Sequence, residues 1–310
     1  MIDSITRRGE REGDRVGAPL HSVAVRVQMV IGWLLRAIAS SPVIVLPAFA
    51  HTLFQPLHRA IGWLAWPALF IAIYLFVRLC ALPLYHFGGH LVLAAKRRLA
   101  RSAAEVMARD SRPPVLYLRT FHSDHAAGRV SVRYAPTLYG LNLRTEEESL
   151  ARVFARYGPL VGLGDPAEDT LRPGAARIHS TDERWQADVI ALMDQARLVI
   201  LRIDCCSDAL RWELRESVTR LEPHQLLLLV PADYTTYHRF CDQINAEELL
   251  PHPLPPFTHV AGNVRLSFMA VIYFCETWTP HLATISLFHS NVERDLAADL
   301  KPVFAHLDRA

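Results

Sequence analysis

The sequence predicts an α/β protein in two parts: an N-terminal transmembrane helical hairpin, then a domain built on a five-stranded parallel sheet. Three observations carry this expectation. Residues 37–54 and 60–77 contain no Asp, Glu, Lys or Arg. Beyond residue 114, short aliphatic and β-branched runs alternate with helical patterns, which implies βαβ crossovers and parallel strands. Lastly, the run Leu198–Ile203 stops at Asp204, and a polar loop leads into a helix carrying Trp212, Glu213 and Glu216. Ligands of parallel α/β sheets bind at the carboxyl ends of the strands, so this segment marks where chemistry is expected.

Each uncharged run approaches the roughly 20 residues that a membrane-spanning helix needs. They begin too late and lie too close together for a cleaved signal peptide. The spans are placed at 37–57 and 60–78. A third run, 79–95, holds Pro83, His86, Gly88, Gly89 and His90; it lies along the interface or continues the second helix. Trp33, Trp63, Trp66 and Tyr85 sit near the run ends, as interfacial aromatics do. Basic residues fix the orientation. Arg7, Arg8, Arg11, Arg15, Arg26 and Arg36 precede the first run, and Lys96, Arg97, Arg98 and Arg101 follow the third. Both termini are therefore expected on the cytoplasmic side. Residues 1–36 form a basic segment, 96–113 a basic juxtamembrane helix and linker, and 114–310 the α/β domain.

Within that domain the predicted strands are Val115–Phe121, Pro159–Leu163, Leu198–Ile203, Leu226–Val230 and Phe268–Phe274. Thr145 is expected to cap a helix with Glu146, Glu147 and Glu148 in its first turn. Gly164–Thr181 reads as a long loop, and Gly162-Leu163-Gly164 as a tight turn. Helices are expected from Asp182, over Leu210–Leu221, Tyr234–Leu249 and Val292–Leu307. The third and fourth strands are wholly apolar, as strands covered on both faces are.

Several chemistries are disfavoured. There is no G-x-G-x-x-G after the first strand, no P-loop, no G-x-S-x-G elbow and no H-E-x-x-H. The five cysteines are odd in number, lack C-x-x-C spacing, and suggest neither a disulfide framework nor a metal site. A net charge of +2 gives no reason to expect nucleic acid; the local basic clusters suit anionic lipid headgroups. What remains is a pair of carboxylates. Glu213 and Glu216 share a helix face, three residues apart. The bland alternatives are a Glu216–Arg220 ion pair, a solvated Glu213 and a core Trp212.

The segments Leu118-Arg119-Thr120-Phe121 with Ser123 and Asp124, Leu171-Arg172-Pro173-Gly174, and Trp212 with Glu213 or Glu216 together resemble the TIR (Toll/interleukin-1 receptor) family, in particular bacterial TIR-like domains attached to membrane segments. The resemblance covers about residues 114–307. It implies a flavodoxin-like, TIR-like fold, a setting in bacterial stress or antiphage signalling at the inner membrane, and homo-oligomerisation. Many members cleave NAD⁺ between nicotinamide and ribose, as substrate rather than cofactor, using the helix glutamate. On that basis the catalytic candidates are Glu213 and Glu216. The binding candidates are Phe121, Ser123, Asp124, Arg172, Pro173, Gly174, Ser207 and Trp212. A Trp–Glu spacing of four selects Glu216; the shorter WEL pattern, with the carboxylate nearer the strand end, selects Glu213. Other members only self-associate, so a non-enzymatic interaction module at the membrane is the alternative.

Overall fold

A computed structural model describes residues 19–100, 102–119, 145–164, 174–181, 183–204, 207–257, 266–286 and 292–309. They fall into two units, one helical and one α/β.

The helical unit has two arms. The first is a single helix, α1 (Pro19–Ile61), of 43 residues, about 65 Å long at 1.5 Å per residue. The second follows a 3₁₀ turn at Gly62–Leu64 and runs through α2 (Ala65–Phe76), a π-helical turn (Val77–Ala81) and α3 (Leu82–Leu99). Pro83 sits in the first turn of α3, where its missing N–H matters least. The π turn before it absorbs the change in pitch. Residues 79–95 therefore continue the second arm. No break falls at 36/37, where the sequence placed the start of the first span.

The two arms meet through small residues. A Cβ on Gly32 would lie 2.7 Å from Gly88 O and from Val92 Cγ2, so only glycine permits this approach of α1 and α3. Arg36 is 1% exposed at this contact. It donates to Tyr85 Oη, and its guanidinium carbon lies 3.8 Å from the Tyr85 ring centroid. Gln28 Nε2 donates to Leu91 O at 3.3 Å. Two stretches, Val23–Ser41 and Phe54–Leu99, are long and apolar enough to cross a membrane.

The α/β unit starts earlier than the sequence suggested. Ser102 Oγ accepts from Glu105 N and starts α4 (Ala103–Arg109), which packs Ala103, Val106 and Met107 against Val161 and Ala176. The predicted juxtamembrane helix is thus interrupted after Leu99. The sheet has seven strands, not five: β1 (Val115–Leu118), β2 (Leu160–Gly164), β3 (Ala176–His179), β4 (Leu198–Arg202), β5 (Leu226–Pro231), β6 (Phe268–Cys275) and β7 (Thr279–Thr284). Their order is β3-β2-β1-β4-β5-β6-β7. The first five in that order pair in parallel; β6 and β7 are antiparallel additions. The parallel portion is β3-β2-β1-β4-β5. It includes 176–179, part of the loop expected over Gly164–Thr181, and excludes 268–274. The order 3-2-1-4-5 is the doubly wound order of dinucleotide-binding sheets, not the expected flavodoxin-like 2-1-3-4-5.

The two missed strands are weak in sequence for physical reasons. β3 is four residues long on an edge. β7 contains Pro280, tolerated because edge strands need not donate on both sides. A short 3₁₀ turn, Glu276–Trp278, with Thr277 and Trp278 at positive φ, folds β7 back on β6. Gly162-Leu163-Gly164 lies within β2 rather than forming a turn.

β1, β2, β4 and β5 are buried along their whole length, as strands covered on both faces must be. On one face pack α6 (Trp185–Met193), α7 (Asp208–Arg220) and α8 (Tyr234–Ala246), through Val189, Leu214 and Phe240. On the other pack α5 (Glu146–Val153), α9 (Val292–Asp299) and α10 (Lys301–Leu307), through Leu150, Leu296 and Val303. The predicted single helix Val292–Leu307 breaks at Leu300, with a proline opening the second piece. Leu228 on β5 is fully buried in the first of these cores. Leu228→Ala should cost about 2–5 kcal/mol, read as a lower urea midpoint of the full chain in detergent at unchanged slope.

Candidate functional site

From β1 the chain moves outward to β2 and β3, then returns to β4 on the other side of β1. The connections leaving β1 and β4 therefore diverge, and open α/β sheets bind ligands in the crevice this leaves. The described residues at that end are strongly polar. Arg119 follows β1, Arg202 and Asp204 end β4, Arg177 comes from β3, and Glu146 and Glu147 come from the first turn of α5.

All six side chains are nearly inaccessible, and they form two linked groups. Arg119 Nη1 lies 2.5 Å from Glu147 Oε1. Arg177 Nη2 donates to Glu147 Oε1 and Oε2 at 3.0 and 3.1 Å. In the second group, Arg202 Nη1 donates to Glu146 Oε1 at 2.8 Å, and Arg202 Nε donates to Asp204. Glu146 also accepts from Ser267, from N at 2.6 Å and from Oγ at 2.8 Å. Burial opposes the charge on Arg202, but Tyr117, Glu146 and Asp204 outweigh it and raise its pKa. Burial also drives the Tyr117 hydroxyl upward, so it remains protonated. Charges this deep persist only when paired.

Glu213 stands apart. It is 7% exposed, and its Oε2 has no hydrogen-bond partner among the described residues. Burial first, then the negative charge of Asp204, push its pKa up to about 8. Its position follows from the local sequence. Ser207 Oγ accepts from Leu210 N at 3.2 Å and fixes the start of α7. Leu210, Leu214 and Ser217 then face inward, and Glu213 shares their side.

The remaining expectations divide. Glu216 is 23% exposed and accepts from Arg220 Nε at 2.8 Å, the ion pair foreseen as its bland reading. Trp212 packs edge-to-face on Trp185, with ring centroids 4.9 Å apart, half-buried against the core. Ser207 serves as a helix cap. Gly174 lies against Glu147: at φ +135, its Cβ would sit 2.4 Å from Glu147 Cβ, a conformation and a contact that only glycine accepts. Phe121, Ser123, Asp124, Arg172 and Pro173 lie outside the described residues.

Sequence reasoning missed Arg119, Arg177, Arg202, Glu146 and Glu147 as a site. One signal was present: an arginine at the end of an otherwise apolar strand, as in LVILR (198–202), has no cheap burial unless a carboxylate meets it. No protein-family model, curated protein or solved structure matches this chain. Fold and site together define a doubly wound α/β unit with buried ion pairs at the carboxyl ends of its strands and, among the described residues, one buried carboxyl oxygen without a hydrogen bond.

Glu213 makes stability depend on pH. Its pKa is 4.5 unperturbed and about 8 in the folded chain. Between those values the folded protein holds a proton that the unfolded chain has released. The contribution is full below pH 4.5 and is lost as pH rises through about 8. In urea unfolding, Glu213→Gln should remove this falling component and be the more stable protein above pH 8. Parallel curves for the two proteins would refute the assignment.

Proposed function

We propose that the helical unit anchors the chain in a bilayer and that the α/β unit binds and hydrolyses NAD⁺, with Glu213 as the acting carboxylate. The observation that carries this is Glu213 itself, a buried carboxyl with an unsatisfied oxygen beyond the end of β4. Loss of nicotinamide leaves positive charge on ribose C1′. A carboxylate in a site that excludes water stabilises that charge far better than one in solvent. The pyridinium of NAD⁺ is itself a cation, so its arrival lowers the pKa of Glu213 and favours ionisation. Water then adds to C1′, yielding ADP-ribose and a proton. The resemblance of the WEL segment to TIR-like domains supplies the substrate, and the paired Glu216 leaves Glu213 as the residue suited to the task.

The anchoring role is supported by what the helices expose. Val23, Val27, Val30, Ile31, Leu34 and Ile38 on α1 are open, as are Phe70, Ile71 and Tyr74 on α2. Only 22% and 11% of the two apolar stretches are buried, whereas a core helix of a soluble protein hides such residues. Hydrocarbon is the solvent that suits this surface. The basic cluster Lys96–Arg98 favours cytoplasmic placement of the α/β unit in a bacterial inner membrane, where crowding promotes the self-association expected of TIR-like domains.

A second reading, a membrane-tethered interaction module without catalysis, is favoured by one observation. The arginines and glutamates of the crevice already pair with one another, as in a purely structural tie between strand ends.

Reconstituted in vesicles, the full chain should release nicotinamide from NAD⁺. Glu213→Gln should lower the rate roughly 100-fold or more, and Glu216→Gln by less than about threefold. Wild-type kcat/KM should rise with pH toward about 8, following ionisation of Glu213. Absence of release would establish the interaction module; release indifferent to Glu213→Gln would remove Glu213 from the chemistry. For topology, a reporter fused after Ala310 should be active in the cytoplasm, and periplasmic activity would overturn the two-span orientation.

A further inference from the structure

Two guanidinium groups from different parts of the sheet converge on one carboxylate. Arg177 reaches Glu147 from β3. Its stem lies over Gly164, where a Cβ would come within 3.2 Å of it, and its Nη1 donates to Leu163 O at 3.4 Å. Arg119 approaches from the end of β1. The three side chains are 3–5% exposed. Glu147 also sits in the first turn of an eight-residue helix, α5, whose positive end favours anions.

The three acids of that turn are used differently. Glu148 closes a capping box with Thr145, accepting from its N–H at 2.8 Å. Glu146 is held by Arg202 and by both donors of Ser267. Glu147, packed against Gly174, makes its ion pairs among the described residues with the two arginines. It fills a position that a second anion could take without dismantling the helix cap or the Arg202 group. Two converging arginines suit the pyrophosphate of a dinucleotide better than a single carboxylate, because its two phosphoryl groups offer four non-bridging oxygens and one charge each.

We propose that Arg119 and Arg177 form a phosphate-binding fork and that Glu147 is its internal occupant, displaced when a phosphate-bearing nucleotide enters. The proposal rests on the nucleotide reading above and adds an orientation: phosphates at Arg119 and Arg177, ribose toward Glu213. It makes Glu147 a competitor rather than a ligand contact, so removing its charge strengthens binding.

The test is calorimetric titration of the full chain in nanodiscs of zwitterionic lipid, with ADP-ribose, adenosine and inorganic phosphate as probes. Wild type should bind ADP-ribose, bind adenosine at least about tenfold more weakly, and lose ADP-ribose affinity when inorganic phosphate is added. Glu147→Gln should tighten ADP-ribose binding about tenfold and leave adenosine unchanged, while Arg119→Lys and Arg177→Lys should each weaken it about tenfold. Should Glu147→Gln fail to fold, Glu147→Asp keeps the charge but withdraws it by one methylene, and should also tighten binding. ADP-ribose binding unchanged or weakened in folded Glu147 variants would overturn the proposal, as would equal affinity for adenosine and ADP-ribose. Loss of ADP-ribose binding in nanodiscs containing phosphatidic acid would assign the fork to a lipid phosphate and overturn the nucleotide. The two readings fail separately. ADP-ribose binding that follows the predicted pattern without nicotinamide release keeps the fork and removes the hydrolase. Nicotinamide release insensitive to both arginine variants removes the fork and keeps the hydrolase.

Discussion

The site depends on the pairing of β1 with β4. Their register aligns Val115 with Leu198 and Leu118 with Leu201, so both strands end at the same level. Apolar residues cover everything below that level, and the first polar residues of each strand end, Arg119 and Arg202, emerge into protein rather than water. Charge there must be met by opposite charge, or the strands could not stay buried. The acids of α5 supply it. Helix α5 therefore has a position fixed at both ends of its role: Leu150 and Val153 pack on one face of the sheet, while Glu146 and Glu147 reach over its carboxyl edge.

This division explains why Glu213 differs from its neighbours. Glu146 and Glu147 are buried in ion pairs with arginines. Glu213 is buried beside Asp204, an anion already engaged with Arg202, and gains from staying protonated. The arginines are held by carboxylates, whereas Glu213 Oε2 has no hydrogen-bond partner among the described residues.

Much of the scaffold was legible in the sequence because burial dictates composition. LVILR and LLLLV are too apolar and too short for anything but covered strands, and the Thr145 cap with its three following acids marks a helix start by local hydrogen bonding alone. The edge strands were not legible. ARIH alternates, but over four residues only, and TPHLAT carries neither alternation nor an apolar run, since an edge strand is shaped by its one neighbour more than by its own residues. Within the site, the choice between Glu213 and Glu216 turned on a rotation of about 300° around a helix axis, three residues at 100° each. Both lie on one broad face, and what separates them is Arg220, which pairs with the more exposed Glu216, and the deeper burial of Glu213. The arginine–glutamate groups join positions distant along the chain, and no local pattern reports such pairs.

One such pair has a consequence for how the protein is assembled. Ser267 precedes β6, and its amide donates to Glu146, 121 residues earlier. That bond closes only after β6, which follows all five parallel strands in the chain, has lain down against β5. Glu146 holds Arg202, and Arg202 holds Asp204. The crevice is thus finished by the antiparallel end of the sheet, strands that never touch it: a newly made chain would possess the parallel core before it possessed the site.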